Sequence, residues 1–213
     1  MKQNYTIIVE GIADKHFIDC YLQYLSKQDP RIVYTKDMID HILKVDGWEN
    51  LKSNDGQSQR NAMLDCTARG GTNLIIFDAD NDAADRRKEL QDILNKYGLK
   101  AEIFLFPNDR DRGALEDLLE GLINPANQCI FDCWGRYEKD LQQQYIEWKN
   151  PHQPTIPAKK TKIYGYLEAL LGESNSQKKL IKESNRKYLN TDHWRLGNPA
   201  ITELSNFLLT HLM

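Results

Sequence analysis

Three runs in this chain read as strands with almost no polar interruption. They are Thr6-Ile7-Ile8-Val9, Asn73-Leu74-Ile75-Ile76-Phe77, and residues 101–106, Ala-Glu-Ile-Phe-Leu-Phe. A strand wetted on one face alternates apolar and polar residues, so continuous apolar runs predict a sheet covered on both faces. Helical spacing fills the intervals. Residues 13–26 place Phe17, Ile18, Tyr21, Leu22 and Leu25 on one face, residues 57–69 suit a helix stopped by Gly70-Gly71, and residues 83–97 carry Leu90, Ile93, Leu94 and Tyr97 before Gly98. Residues 31–46 are ambiguous: 37–43 suit a short helix, and a strand is expected within 41–46, broken by Asp46-Gly47-Trp48. Strands alternating with helices imply a parallel sheet with helices on both sides.

The second half has a different texture. A short helix is predicted over 115–123 after the polar loop 108–113, with further helices over 134–148, 161–171 and 199–212. Pro151, Pro154 and Pro157 mark an extended connector at 149–158, the best internal boundary. The expected organisation is an α/β domain over 1–125 and a helical C-terminal extension over 126–213 that packs on it, with Leu204, Phe207, Leu208 and Leu212 of the last helix turned inward.

The chain has 213 residues, 40% hydrophobic and 28% charged, with a net charge of −3. That balance fits an ordinary soluble protein and excludes a strongly basic coat for non-specific DNA binding. No run approaches about 18 apolar residues, so no membrane span is expected. Met1-Lys2-Gln3-Asn4-Tyr5 leads straight into a strand with no signal-peptide pattern, which predicts a cytoplasmic location. Cys20, Cys66, Cys129 and Cys133 form no regular framework, and Cys129-x3-Cys133 lacks the second ligand pair that zinc needs. Reduced thiols are expected, with Cys20 and Cys66 facing the core. The five histidines show no ligand spacing, although His16 lies near Glu10 in sequence. The tryptophans are expected to pack rather than to stack on bases, although Trp48, following Gly47 at the end of a predicted strand, could line the acidic edge of the sheet. Residues 151–195 hold nine Lys or Arg against four Asp or Glu. Such a strip suits a phosphate polymer, but without interleaved aromatics a solvated helix face is the favoured expectation.

Acidic residues stand at the ends of two strands. Glu10-Gly11 follows the first, with Asp14 three residues on, and Asp78-Ala79-Asp80 follows the second. The carboxyl edge of an open α/β sheet is where ligands bind. Carboxylates gathered there repel one another unless protons or a cation intervene, and a hard divalent ion with oxygen ligands is the economical solution. Each residue also has a local explanation. Gly11 could supply a positive φ, Asp14 and Glu116 could be first-turn acids, Asp80 or Asn81 could cap the helix near Ala83, and Asp82, Asp109 and Asp111 could be solvated loop acids.

Val9-Glu10-Gly11 with Asp14, then Asp78-x-Asp80, then Phe106-Pro107 and Leu115-Glu116-Asp117-Leu118-Leu119 together resemble the Toprim domain. This is the metal-binding α/β module of topoisomerases, primases and overcoming-lysogenization-defect nucleases. The likeness covers residues 5–121 and is greatest to small stand-alone Toprim-like bacterial proteins of uncharacterised function. It implies a three-layer, Rossmann-like, mostly parallel sheet with a helical C-terminal addition. It also implies Mg2+ or Mn2+ held by Glu10, Asp78, Asp80 and Glu116, and Glu10 as a ligand or general acid/base. Lys160 or Lys162 would neutralise charge on a phosphate, and Gly11 and Asp14 would contact substrate. The implied activity is phosphodiester cleavage of nucleic acid. The competing expectation is a non-catalytic module that binds metal or nucleotide in a complex, with an ATPase as partner.

Two other patterns fail on particular residues. A calcium loop beginning at Asp78 needs Gly at its sixth position, where Ala83 stands, and a helix where a strand precedes. A haloacid-dehalogenase-type phosphatase would use Asp78 as nucleophile and Asp80 as acid/base, but expects Thr or Val where Asp82 stands and leaves Glu10 unexplained. No Gly-x-Gly-x-x-Gly or Walker-type phosphate loop is present.

Overall fold

The computed structural model describes residues 5–212; the approach of Met1–Asn4 to the first strand lies outside them. The chain forms two compact units, one of residues 1–122 and 196–213, the other Ile123–Arg195.

The first unit is an α/β domain. In chain order it contains β1 (Tyr5–Val9), α1 (Ile12–Gln28), β2 (Ile42–Lys44), α2 (Gln57–Ala68), β3 (Thr72–Asp78), α3 (Ala83–Tyr97), β4 (Glu102–Phe106) and α4 (Leu115–Gly121). The four strands are all parallel in the order β2-β1-β3-β4, with Ile8 beside both Leu43 and Ile75, and Asp78 beside Phe106. The chain therefore steps outward from β1 to β2, crosses back over β1 to β3, and continues to β4. The direction reverses between β1 and β3, which opens a crevice beyond the carboxyl ends of those two strands.

Strand alternation sends residues to two cores. Ile8, Ile75, Phe77, Ile103 and Leu105 pack with Met63 of α2 and Leu90, Ile93 and Leu94 of α3. On the other face Phe104 and Phe106 lie edge to face at 5.8 Å, Phe17 of α1 meets Phe106 at 6.2 Å, and Phe207 meets Phe104 at 5.4 Å. Phe207 belongs to α8 (Thr202–Leu212), which closes the first unit, and the Tyr21 hydroxyl of α1 bonds Ser205 of α8. The result is a three-layer Rossmann-like arrangement with α1 and α8 on one side, α2 and α3 on the other.

The second unit holds α5 (Gln128–Gln142), α6 (Lys159–Leu171) and the single turn α7 (Asn175–Lys178). Trp194 is buried there between Tyr166 and Tyr188, at 5.6 and 5.4 Å.

Several boundaries differ from the sequence expectation. The helix expected over 134–148 begins six residues earlier, because Asn124 accepts the Ala126 amide at 3.0 Å and Pro125 opens a 3-10 turn that leads into α5. Residues 31–46 resolve into a 3-10 turn, Lys36–His41, and a three-residue edge strand. The short helix stops at Gly121 instead of 123, since Ile123 bridges to Trp194 in the second unit. The connector at 149–158 lies inside the second unit, and the units divide at 122 and 195, where 125 was expected, with residues 196–213 returning to the first. Cys66 is buried as expected, Cys20 only half so, and Cys129 and Cys133 are exposed.

One glycine sits where no side chain fits. A Cβ on Gly56 would lie 2.3 Å from the Asn50 carbonyl oxygen and 2.9 Å from Leu51 Cα. Gly56→Ala must displace the 3-10 turn Trp48–Lys52 and is expected to cost about 2–3 kcal/mol in denaturant unfolding. A loss under about 0.5 kcal/mol would show that this turn yields freely.

Candidate functional site

β1 delivers Glu10 and β3 ends on Asp78, so the two acids face the crevice between the strands. Glu10 Oε1 accepts the Asp78 amide at 2.9 Å, and its carboxylate also accepts the Trp48 amide. The loop that supplies Trp48 is fixed from beneath, with the Val45 amide on Val9 O at 3.0 Å and the Gly47 amide on Glu10 O at 3.2 Å. Asp78 Oδ1 accepts the amide of Leu115, the first residue of α4, at 2.9 Å. Paired backbone bonds between Asp80 and Gly113, both 2.8 Å, bring that segment to the end of β3.

Asp14 is buried in the first turn of α1, with Oδ2 accepting the Gly11 amide at 2.7 Å. Asp117 repeats the device in α4, accepting the Ala114 amide at 2.9 Å. Gly11 is extended at φ −140°, so the positive φ expected of it is not adopted. Around the crevice, positive φ falls instead on Asp46, Gly47, Asp80 and Gly113. At Gly113 (φ 139°) a Cβ would also meet Asp117 Oδ2 at 2.6 Å.

The acids sense one another. Burial pushes the Asp14 carboxyl up to about 7, aided by the charges of Glu10 and Glu116 and opposed by the Gly11 amide. Burial raises Asp78 well above the usual carboxylate range, helped by Asp14, Glu10 and Glu116. Glu10 is raised by burial and, after the opposing Asp78 amide, by Asp80, while Arg86 pulls it down. Such a cluster holds protons near neutral pH or gathers a cation. The contributing donors are carboxylate oxygens, with no sulfur or imidazole, which suits Mg2+ or Mn2+ over softer ions. Among the described residues, however, no three His, Cys, Asp or Glu side chains stand ready as a metal cage. One oxygen each of Glu10, Asp14 and Asp78 accepts a backbone amide, and the Asp80 carboxylate is turned to Arg86. The residues fit a hard divalent ion by chemistry, with side-chain rotation needed to receive it.

Asp80 stands apart. Its carboxylate pairs with the Arg86 guanidinium, which also bonds Glu89 at 3.1 Å and lies 3.9 Å from the Trp48 ring centroid. The cap of α3 is Asp82, accepting the amides of Ala84 and Asp85 at 2.8 and 3.0 Å, where Asp80 or Asn81 was expected. Asp109 is not merely solvated: it accepts the Leu105 amide at 2.9 Å and Arg87 at 2.5 Å. Asp111 is exposed and accepts from Asn108 at 2.7 Å.

Lys160 and Lys162 belong to α6 of the second unit. Lys160 pairs with Glu183 at 2.5 Å, and the Lys162 ammonium lies 4.8 Å from the Phe131 ring centroid. His16 Nε2 lies 3.8 Å from Cys20 Sγ. Trp148, expected to pack, is 85% exposed. The sequence assigns no role to Arg86, to the Trp48 amide or to Asp117, although Asp117 stands in the Leu115–Leu119 motif. The signal for Asp117 was a carboxylate three residues beyond Ala114, repeating the Gly11/Asp14 spacing. No helix among the described residues is long and apolar enough to cross a membrane.

These features define a parallel α/β protein with a buried acidic cluster at the topological switch point of its sheet. The chain belongs to the family described as a protein of unknown function, DUF3226, which it matches over residues 4–210, and so through both units. No curated protein and no solved structure matches it significantly.

Proposed function

We propose that this protein is a Toprim-like, cytoplasmic phosphodiesterase that cleaves nucleic acid with Mg2+ or Mn2+. The observation that carries the proposal is the meeting of Glu10 and Asp78, from separate strands, with Asp14 and Glu116 close enough to raise the Asp78 carboxyl. Glu10 and Asp78 would hold the ion, with Asp80 and Glu116 as further oxygen donors. A bound divalent ion would supply activation of water and neutralisation of a phosphate oxygen.

The chain's own groups contribute orientation and protons. Amides of Asp78, Trp48 and Leu115 tie the Glu10 and Asp78 carboxylates to the carboxyl ends of β1 and β3 before an ion or substrate arrives. Asp14, at about 7, is matched to proton exchange near neutral pH, and with Gly11 it lies at the start of α1 as a substrate contact. Charge is divided in a way that suits a polyanion: residues 123–195 carry twelve Lys or Arg against eight Asp or Glu, and the rest of the chain sixteen against twenty-three. Lys160 and Lys162 lie in the basic portion and are assigned no step in the reaction.

The net charge of −3, unfavourable for holding a polyanion, favours a second possibility, a non-catalytic metal or nucleotide module that works with a partner such as an ATPase. Incubation with supercoiled plasmid and with labelled single-stranded DNA and RNA, across a Mg2+ and Mn2+ titration, separates the two. Cleavage that appears with the ion and stops with chelator is the expected result. Ion binding without cleavage of any substrate supports the module, and neither ion binding nor cleavage overturns the nuclease and the metal-binding form of the module alike.

A further inference from the structure

Asp80 has a fixed backbone and a movable side chain. Its amide and carbonyl are both paired with Gly113 at 2.8 Å, and its φ of 52° is held by that pairing. Its side chain is 49% exposed, so a rotamer change costs little packing. What restrains the carboxylate is Arg86, whose own side chain is only 8% exposed. The guanidinium is clamped between the Trp48 ring at 3.9 Å and the Glu89 carboxylate at 3.1 Å. It reaches Asp80 through Nη2, while Nε is buried without a hydrogen-bond partner. A cation stacked on an indole and partly desolvated holds its position well. Asp80 and Arg86 act on Glu10 with opposite signs, so both lie beside the acidic cluster.

We infer that Arg86, seated on Trp48, is a positioning residue that holds Asp80 out of the acidic cluster, so that a divalent ion gains Asp80 only by displacing the guanidinium. The inference rests on the cation-dependent function proposed above and adds a built-in competitor to it. Arg86 supplies positive charge beside the cluster, lowering Glu10 against the effect of Asp80. The competition sets ion affinity lower than Glu10, Asp78 and Asp80 together would give. Glu89 keeps the guanidinium paired after Asp80 leaves, which avoids stranding a buried charge.

The test is Mn2+ affinity, measured by electron paramagnetic resonance of free Mn2+ and by calorimetry, on the full chain without nucleic acid. Arg86→Gln is expected to bind Mn2+ about tenfold or more tightly than wild type, since one local positive charge is removed and one carboxylate released. The gain should vanish when Asp80→Asn is added, because the effect runs through Asp80. Trp48→Leu, which removes the indole seat but leaves the charge, should show a smaller gain in the same direction and serves if Arg86→Gln does not fold. Arg86→Lys should restore most of the wild-type affinity.

Unchanged or weaker binding in Arg86→Gln overturns the latch, and so does a gain that persists with Asp80→Asn, which would be a long-range charge effect. If wild type and every variant fail to bind Mn2+, the cation-dependent function falls, and the latch with it. If wild type binds and Arg86→Gln gains nothing, the latch alone falls.

Discussion

Asp78→Asn is expected to reduce divalent-dependent cleavage on the order of 10^3-fold, and Glu10→Gln by a comparable factor. Both substitutions keep shape and an oxygen acceptor. The new asparagine can still receive the Leu115 amide, and the new glutamine can still receive the amide of residue 78. What they remove is charge, the property that a cation at this edge would use. Because the two groups act as a unit, the double variant should be little worse than either single one. Asp82→Asn provides the control. Asp82 caps α3 from an exposed position, and asparagine caps nearly as well, so cleavage should stay within about twofold of wild type. Plasmid cleavage under Mg2+, with each variant purified in parallel, decides the matter. Activity in Asp78→Asn equal to wild type would remove the acidic cluster from the chemistry.

The second large effect concerns stability and its dependence on pH. An acid whose folded pKa is raised binds more protons folded than unfolded, so stability falls as pH rises through that interval. Asp14 moves from an ordinary 3.8 to about 7, and Asp78 moves in the same direction. The contribution is fully present below pH 3.8 and is lost progressively as pH climbs through about 7. At about 1.4 kcal/mol per pKa unit, Asp14 alone accounts for roughly 4 kcal/mol, which for a chain of this size corresponds to a Tm drop on the order of 10 °C. In chelator, Tm should therefore fall between about pH 5 and pH 8, the range in which ordinary carboxylates no longer titrate. Mg2+ at about pH 8 should recover much of the loss by replacing the departed protons, whereas Asp14→Asn should flatten the slope. Scanning calorimetry at several pH values, with and without Mg2+, measures both. A Tm that is level or rising over this range in chelator would show that the carboxyls ionise without strain.

The secondary structure was legible wherever burial imposed a pattern. β1, β3 and β4 are apolar on both sides because helices cover both faces, and α1 and α3 carry an unbroken inward stripe. β2 was blurred because it is three residues long at the sheet edge. α5 was misplaced because only Phe131 is buried along it, so its stripe gives little guidance to its ends. Glu10 and Asp78 were visible as carboxylates placed directly after apolar runs, since a charge at such a position must lie at the end of a covered strand. The burial of Asp14 was not visible, because nothing in Ile12-Ala13-Asp14 distinguishes a buried capping acid from a solvated one.

Order along the chain thus determined a parallel sheet, its covering helices, and two acids at strand ends, because hydrophobic periodicity is a local property that burial enforces residue by residue. Which acids meet, and which are held away, was decided by tertiary contacts: strand order placed β1 beside β3, the Val45–Trp48 loop closed over Glu10, and the Asp80–Gly113 pairing turned Asp80 toward Arg86. These are bonds between segments tens of residues apart, and a side chain's direction at a loop end follows from them rather than from its neighbours in sequence.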